Sequence, residues 1–159
     1  MISEKPLTEP TLVDLEPMPT AVVRHEGVRT EQLTPLFDGG FTAIAASGAH
    51  MAGPAFAIYR GDPSATFDIE LGFPVTEPLA HSVPGEVTVE PSTLPSGRAL
   101  AVSHRGSYDG LGQTWGRLAS AAGERGLQPA YFFELYITEP SPEMDPATLR
   151  TDLFLVLQD

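Results

Sequence analysis

The sequence predicts an α+β fold made of two copies of one strand-helix-strand-strand unit. An apolar run that ends in histidine, with a glycine two places later, occurs twice in the chain. A stretch with helical periodicity follows each run. A proline-led strand that ends in tyrosine then follows each helix. The length of 159 residues is usual for one domain. We therefore expect a single domain over residues 1–159, with repeat one at about 11–76 and repeat two at about 85–158.

The first strand of each copy is the repeated apolar run. Residues 21–27 read AVVRHEG and residues 100–106 read LAVSHRG, which is typical of a strand that leaves through a tight turn. His25 and His104 are equivalent in this alignment. We expect their rings to hydrogen-bond backbone groups in a shared turn geometry rather than to bind a metal.

One further strand is expected at the start of each copy. Residues Glu86–Glu90 alternate between polar and apolar types, as in a half-exposed strand. Thr11–Leu15 is the corresponding segment of the first copy.

The helix of the second copy has the clearer periodicity. Its apolar residues recur at spacings of three and four, and Gly126 is a suitable stop: Leu111, Trp115, Leu118, Ala119 and Ala122. The first copy has a similar stripe that includes Leu33, Phe37, Phe41 and Ile44. Pro35 is tolerated there because it lies near the helix start.

The last two strands of each copy complete the unit. Pro54–Tyr59 and Pro129–Tyr136 follow the helices, and aligning their tyrosines places Ala57 opposite Glu134. The final strands are predicted at Thr66–Val75 and Thr151–Leu157. Within the first of these, Asp68 and Glu70 alternate with apolar neighbours, so we expect both on the solvated face of the strand.

Composition excludes several classes of partner and site. The formal net charge of -12 disfavours nucleic acid and anionic membrane surfaces, which bind clustered lysine and arginine. The absence of cysteine removes disulfides, thiolate nucleophiles and the usual structural zinc sites. Residues 1–14 lack a basic segment followed by an apolar one, so a cytoplasmic protein is expected. No metal or cofactor is expected, and the oligomeric state, monomer or homodimer, is left open.

Glu134 is the residue that most needs an explanation. It shares one strand face with Phe132 and Tyr136, and the other face is also apolar. A carboxylate covered on both sides loses solvent and needs a partner. The partner could be an arginine, or the carboxylate could reach water from an edge strand. The functional alternative is a receptor for cations, in which ring faces attract positive charge and the carboxylate neutralises it.

Two common chemistries lack their motifs. No serine lies in a Gly-x-Ser-x-Gly turn, which argues against acyl transfer. The glycines near the second helix lack the lysine of a phosphate loop and the spacing of a dinucleotide fingerprint.

Several segments together resemble the GyrI-like family, the gyrase-inhibitor-like effector-binding module. The resemblance runs from about residue 12 to 157 and is strongest in residues 54–59, 67–75, 104–111 and 133–136. It implies a curved antiparallel sheet with two helices and a central ligand groove. It also implies a bacterial module, related to multidrug-sensing transcription regulators, whose acidic residue at position 134 faces the ligand.

The resemblance implies two functions for one pocket. The first is stand-alone binding of lipophilic polyaromatic or cationic compounds, with these ligand-binding residues: Glu134, Tyr136, Phe132, Tyr59, Tyr108, Trp115, Phe37 and Phe154. The alternative is a cofactor-independent hydrolase that opens the cyclopropane of alkylating natural products. Glu134 would then orient water and a tyrosine, Tyr136 above all, would donate a proton. Binding is the preferred interpretation.

Overall fold

The structure is a computed structural model that describes residues 6–61, 65–138 and 145–158. The chain divides into two compact units. Unit 1 is formed by the described residues of 1–16 and 96–159, and unit 2 by those of 17–95.

Unit 1 has four antiparallel strands and one helix. In chain order these elements are β1 (Thr11–Leu15), β6 (Gly97–Arg105), α2 (Leu111–Glu124), β7 (Pro129–Tyr136) and β8 (Arg150–Leu157). The strands lie in the order β1-β6-β8-β7. The helix packs its apolar side on one sheet face, where Leu118 and Ala122 meet Leu153 in a buried cluster.

Unit 2 repeats this arrangement. Its elements are β2 (Pro19–Val28), α1 (Leu33–Ala46), β3 (Ala55–Gly61), β4 (Phe67–Pro74) and β5 (Glu90–Thr93), with strand order β3-β4-β2-β5. Pro35 lies in the first turn of α1, where it disrupts no helical hydrogen bond. Gly40 is buried in the same helix, and a Cβ there would lie 3.2 Å from Leu71, so glycine allows α1 to approach the sheet closely.

Strand register confirms the duplication. Tyr59 pairs with Ile69 on β4, and Tyr136 pairs with Thr151 on β8. Ala57 pairs with Leu71 in unit 2 as Glu134 pairs with Leu153 in unit 1. The alignment made from the tyrosines alone is therefore the one that the backbone has.

The short opening strands differ from the prediction. The strand expected at Glu86–Glu90 instead runs over Glu90–Thr93, and Val89 makes only an isolated bridge with Val83. Pro91 is accommodated on β5 because this strand ends the order and pairs with β2 alone within unit 2. Each opening strand also pairs with the other sequence repeat. β1, at the start of repeat one, pairs with β6 of repeat two, and β5, at the start of repeat two, pairs with β2 of repeat one.

The predicted fold class is confirmed: α+β, with a duplicated strand-helix-strand-strand unit, antiparallel strands and two helices. None of the helices in the described part of the chain has the length and apolar character needed to span a membrane.

Candidate functional site

Glu134 lies near the end of β7, on the sheet face that α2 covers. Its cross-strand neighbour Leu153 belongs to the buried cluster beneath the helix, which fixes the direction of the glutamate side chain. The residue is 7% exposed. The alternative in which the carboxylate simply extends into water is therefore wrong.

Two aromatic side chains donate hydrogen bonds to this carboxylate. The indole Nε1 of Trp115 on α2 donates to Oε2 over 2.8 Å, and the hydroxyl of Tyr136 donates to Oε1 over 2.8 Å. Hydrogen bonds to a charged acceptor are stronger than those between neutral groups. Both donors are neutral side chains, and together they fix the orientation of the carboxylate.

Two further rings pack against these two donors. Phe132, two positions before Glu134, packs edge-on against Trp115 with ring centroids 4.8 Å apart. Tyr108, in the 3-10 turn before α2, meets Tyr136 edge-on at 6.2 Å. We call these five residues the Glu134 cluster: Phe132, Glu134, Tyr136, Trp115 and Tyr108.

Tyr108 is the exposed member of the Glu134 cluster, with 41% of its surface accessible. Partial burial raises the pKa of its hydroxyl, and the negative charge of Glu134 raises that pKa further. The hydroxyl therefore stays protonated at neutral pH and can donate a hydrogen bond.

Three predicted ligand residues are not among these five. Phe154 stacks on Phe133 with centroids 4.6 Å apart, on the opposite sheet face from Glu134. Tyr59 and Phe37 belong to unit 2, where Tyr59 is buried against Phe67 and Phe37 is half-buried beside Phe41. The Glu134 cluster in unit 1 thus contains five of the eight predicted residues, and Phe154 lies in the same unit outside the cluster.

His104 makes the backbone contact that the sequence predicted. Its Nε2 lies 2.8 Å from the carbonyl oxygen of Ser107, the residue before Tyr108. Its Nδ1 lies 2.7 Å from the hydroxyl oxygen of Thr114 on α2, a contact that sequence reasoning missed. Thr114 follows Leu111 by three positions and so could have been placed on the buried helix face. The equivalent His25 is different, because its buried Nε2 has no hydrogen-bond partner among the described residues.

Among the described residues, two acidic side chains outside the Glu134 cluster are buried. Asp152 on β8 is 2% exposed and is paired with Arg150 over 2.9 Å. Glu70 on β4 is 6% exposed and is paired with Arg24 over 2.7 Å. The expectation that Glu70 lies on a solvated face is therefore wrong. Its strand is central within unit 2, and the arginine on β2 compensates for the lost solvent.

The described residues contain no cluster of metal-ligating side chains. Across residues 6–61, 65–138 and 145–158, no three histidine, aspartate or glutamate side chains are grouped so as to hold a metal ion.

Comparison with known proteins identifies one family. Residues 8–158, nearly the whole chain, match the family described as GyrI-like small molecule binding domain, which confirms the resemblance found in the sequence. No curated protein matches significantly.

Solved structures with the same fold have low sequence identity. The C-terminal domain of EcmrR is 18% identical with a TM-score of 0.75, over 95% of this chain and 98% of that one. A hydrolase from Listeria innocua is 16% identical with a TM-score of 0.63, over 98% of this chain and 94% of that one. SAV2435 bound to tetraphenylphosphonium is 11% identical with a TM-score of 0.63, over 95% of this chain and 94% of that one.

Proposed function

The chain belongs to the GyrI-like small molecule binding domain family, and we propose that it binds lipophilic polyaromatic or cationic compounds through the Glu134 cluster. The observation that supports this most directly is the carboxylate of Glu134, held by Trp115 and Tyr136 beside two further rings.

Aromatic faces and a carboxylate attract the same kind of ligand. A cation over a ring face gains about 0.5 to 2 kcal/mol per ring, depending on how far it is desolvated. A delocalised cation loses less hydration than a compact ammonium on entering such a site. The carboxylate then supplies the opposite charge at one point, and the rings contribute contact area. This combination favours large, flat or aryl-substituted cations over small polar ones.

The net charge of the protein and the tolerance of ring contacts for ligand shape also favour aromatic cations. The net charge of -12 concentrates cations near the surface at low ionic strength. Ring contacts depend little on the exact shape of the ligand, so a site of this kind accepts several compounds, as in multidrug binding. SAV2435, which shares the fold, has been solved with tetraphenylphosphonium, an aromatic cation.

The second candidate function is hydrolysis in the same site. It is favoured by one contact, the 2.8 Å hydrogen bond from the Tyr136 hydroxyl to Glu134, because this pair contains a base and a proton donor. Glu134 would take a proton from water while the water oxygen forms a bond to a cyclopropane carbon. The breaking C–C bond would give its electrons to a conjugated dienone of the substrate, and Tyr136 would protonate the phenolate formed. The proton held by Glu134 would then return to Tyr136 along their hydrogen bond, so that the net change is the addition of one water. A solved relative is described as a hydrolase.

The decisive experiment compares a cation with a neutral compound. Calorimetry with tetraphenylphosphonium, which has four phenyl groups on phosphorus, and with triphenylphosphine oxide, a neutral compound that has three, measures how strongly the affinity depends on charge. We expect the cation to bind more tightly and to change the fluorescence of Trp115, the single tryptophan of the chain. No heat and no fluorescence change with either compound would overturn the proposal.

A strained electrophile separates the two candidates. If the protein only binds, a cyclopropane-containing alkylating compound is recovered with its mass unchanged. If the protein is a hydrolase, the product carries one added water and more product than protein forms.

A further inference from the structure

The His104 ring connects three parts of unit 1. It is 7% exposed on β6, and its two nitrogens contact the turn that precedes α2 and the first turns of α2 itself. The Ser107 carbonyl can only accept a hydrogen bond, so Nε2 carries the hydrogen. In the neutral ring, Nδ1 then accepts from the Thr114 hydroxyl. This arrangement uses both nitrogens of the buried histidine.

The bond to Ser107 acts directly on Tyr108. Ser107 is the residue immediately before the 3-10 turn Tyr108–Gly110, so its carbonyl belongs to the peptide group that carries the Tyr108 nitrogen. Gly106 before it has φ +116°, a conformation that L side chains rarely adopt. Fixing the Ser107 peptide therefore fixes the position from which the Tyr108 ring reaches Tyr136.

Gly110 shows how closely the turn fits the histidine. A Cβ at this position would lie 3.0 Å from Cε1 of His104, which is closer than such atoms normally come. The turn that carries Tyr108 is therefore packed against the imidazole at both ends, through the Ser107 carbonyl and through Gly110.

The other unit shows that the fold does not require this bond. His25 occupies the equivalent place on β2, and a 3-10 turn, Thr30–Gln32, likewise precedes α1. Yet the buried Nε2 of His25 has no hydrogen-bond partner in the described chain. That turn carries no aromatic residue. The hydrogen bond from a strand histidine to the following turn thus occurs in the unit whose turn carries a residue of the Glu134 cluster.

We propose that His104 is a positioning residue for the binding site, which holds the Tyr108 ring beside Tyr136 and Glu134 through its hydrogen bond to Ser107. This inference rests on the proposed function for its effect on ligands. The effect of His104 on the position of Tyr108 does not depend on any ligand.

The structural part is tested without ligand. In His104→Asn the shorter side chain can replace Nδ1 but cannot reach Ser107, whereas in His104→Gln the amide nitrogen lies near the position of Nε2. Tyrosines labelled with ¹³C at the ring ζ carbon report the Tyr108 pKa by NMR, with Tyr108→Phe for assignment. We expect the Tyr108 pKa to fall toward 10.0, its ordinary value, in the asparagine variant and to stay raised in the glutamine variant.

The ligand part uses tetraphenylphosphonium as the probe. We expect His104→Asn to bind it about 3- to 10-fold more weakly, as for the loss of one hydrogen bond, and His104→Gln to bind nearly as the parent does. In a Tyr108→Ala background the asparagine substitution should have no further effect. His25→Asn is the matched control for a histidine change that leaves the Glu134 cluster intact.

Each outcome has a definite meaning. If His104→Asn folds, an unchanged Tyr108 pKa in it overturns the inference. If His104→Asn does not fold, His104→Gln decides, and an ordinary Tyr108 pKa in that folded variant overturns the inference. Losses in affinity that simply add in the double variant also overturn it. If the parent does not bind the probe, the proposed function fails, and the NMR titration still decides whether His104 positions Tyr108.

Discussion

Trp115 on α2 and Glu134 on β7 are joined by a hydrogen bond of 2.8 Å between the indole nitrogen and the carboxylate. The bond links helix to sheet at the point where the apolar cluster of unit 1 contains an acidic side chain. Half-buried tryptophans normally find an acceptor for their N–H group. Here that acceptor is also the charged group of the Glu134 cluster, so the fluorescence of the single tryptophan reports directly on the proposed site.

Replacing Glu134 with glutamine tests the role of its charge. We expect Glu134→Gln to weaken tetraphenylphosphonium binding by about 1 to 3 kcal/mol, the range for losing a charge-assisted buried contact. Binding of triphenylphosphine oxide should change much less, because the neutral compound gains little from a carboxylate. Calorimetry with both compounds provides the comparison. Equal losses for the cation and the neutral compound would show that the substitution perturbs the shape of the site rather than its charge.

Removing the Tyr136 hydroxyl distinguishes binding from catalysis. Tyr136→Phe keeps the ring but deletes the donor to Glu134. If the site only binds, the affinity for an aromatic cation should fall by less than about tenfold, as expected for one hydrogen bond. If the site hydrolyses a strained electrophile, turnover should be abolished while binding persists. Tyr131→Phe is the control, since Tyr131 lies on the opposite face of the same strand. Full turnover in Tyr136→Phe would exclude the tyrosine as the proton donor.

The repeat made much of this fold predictable from sequence. Aligning Tyr59 with Tyr136 gives the strand equivalence that the register shows, because a proline-led strand ending in tyrosine is a local pattern. The face shared by Phe132, Glu134 and Tyr136 follows from strand alternation alone. The contact of Trp115 with that face follows from helical spacing once the helix is placed on the sheet.

Properties that depend on strand order could not be read in the same way. Glu70 alternates with apolar residues, as an exposed charge would, yet its strand lies between β2 and β3 in unit 2, so the carboxylate is buried against Arg24. Phe154 matches the apolar pattern of a ligand residue, but its pairing with Phe133 places it on the face away from Glu134. Neither result is encoded within one segment, because each depends on which strand is the neighbour.

Gly72 on β4 should tolerate no side chain. A Cβ there would lie 2.5 Å from the carbonyl oxygen of Ala21 and 2.7 Å from Val22 on β2. The backbone cannot yield without breaking the strand pairing, so we expect Gly72→Ala to destabilise the protein by more than about 2 kcal/mol, beyond the typical effect of a single substitution. Gly116 on the exposed side of α2 meets nothing within 4 Å, and Gly116→Ala should stabilise by about 1 kcal/mol. Urea unfolding measures both, and a stable Gly72→Ala protein would contradict the strand geometry described above.

The Arg150–Asp152 pair should contribute far more than a surface pair. The two side chains are 11% and 3% exposed, and the Ser103 hydroxyl also donates to Asp152 over 2.7 Å. We expect Asp152→Ala to cost about 3 to 5 kcal/mol, because it removes a buried carboxylate that both the Arg150 guanidinium and the Ser103 hydroxyl contact. Glu31→Ala breaks the Arg29–Glu31 pair, whose side chains are 61% and 68% exposed, and should cost less than about 1 kcal/mol. Similar losses in the two variants would mean that the buried pair is compensated from elsewhere.

His25 should make the protein less stable on the acid side. Burial lowers the pKa of its imidazole below the ordinary value of 6.5, and the buried Nε2 has no hydrogen-bond partner within the described residues. Above pH 6.5 the ring is neutral in both the folded and the unfolded chain, so it contributes nothing there. As the pH falls below that value the unfolded chain binds the proton first, and stability is lost until the pH reaches the lower folded-state pKa. Urea midpoints measured above and below pH 6.5 should therefore decline less steeply in His25→Asn than in the parent. Parallel declines would show that His25 takes up its proton as readily in the folded protein as in the unfolded chain.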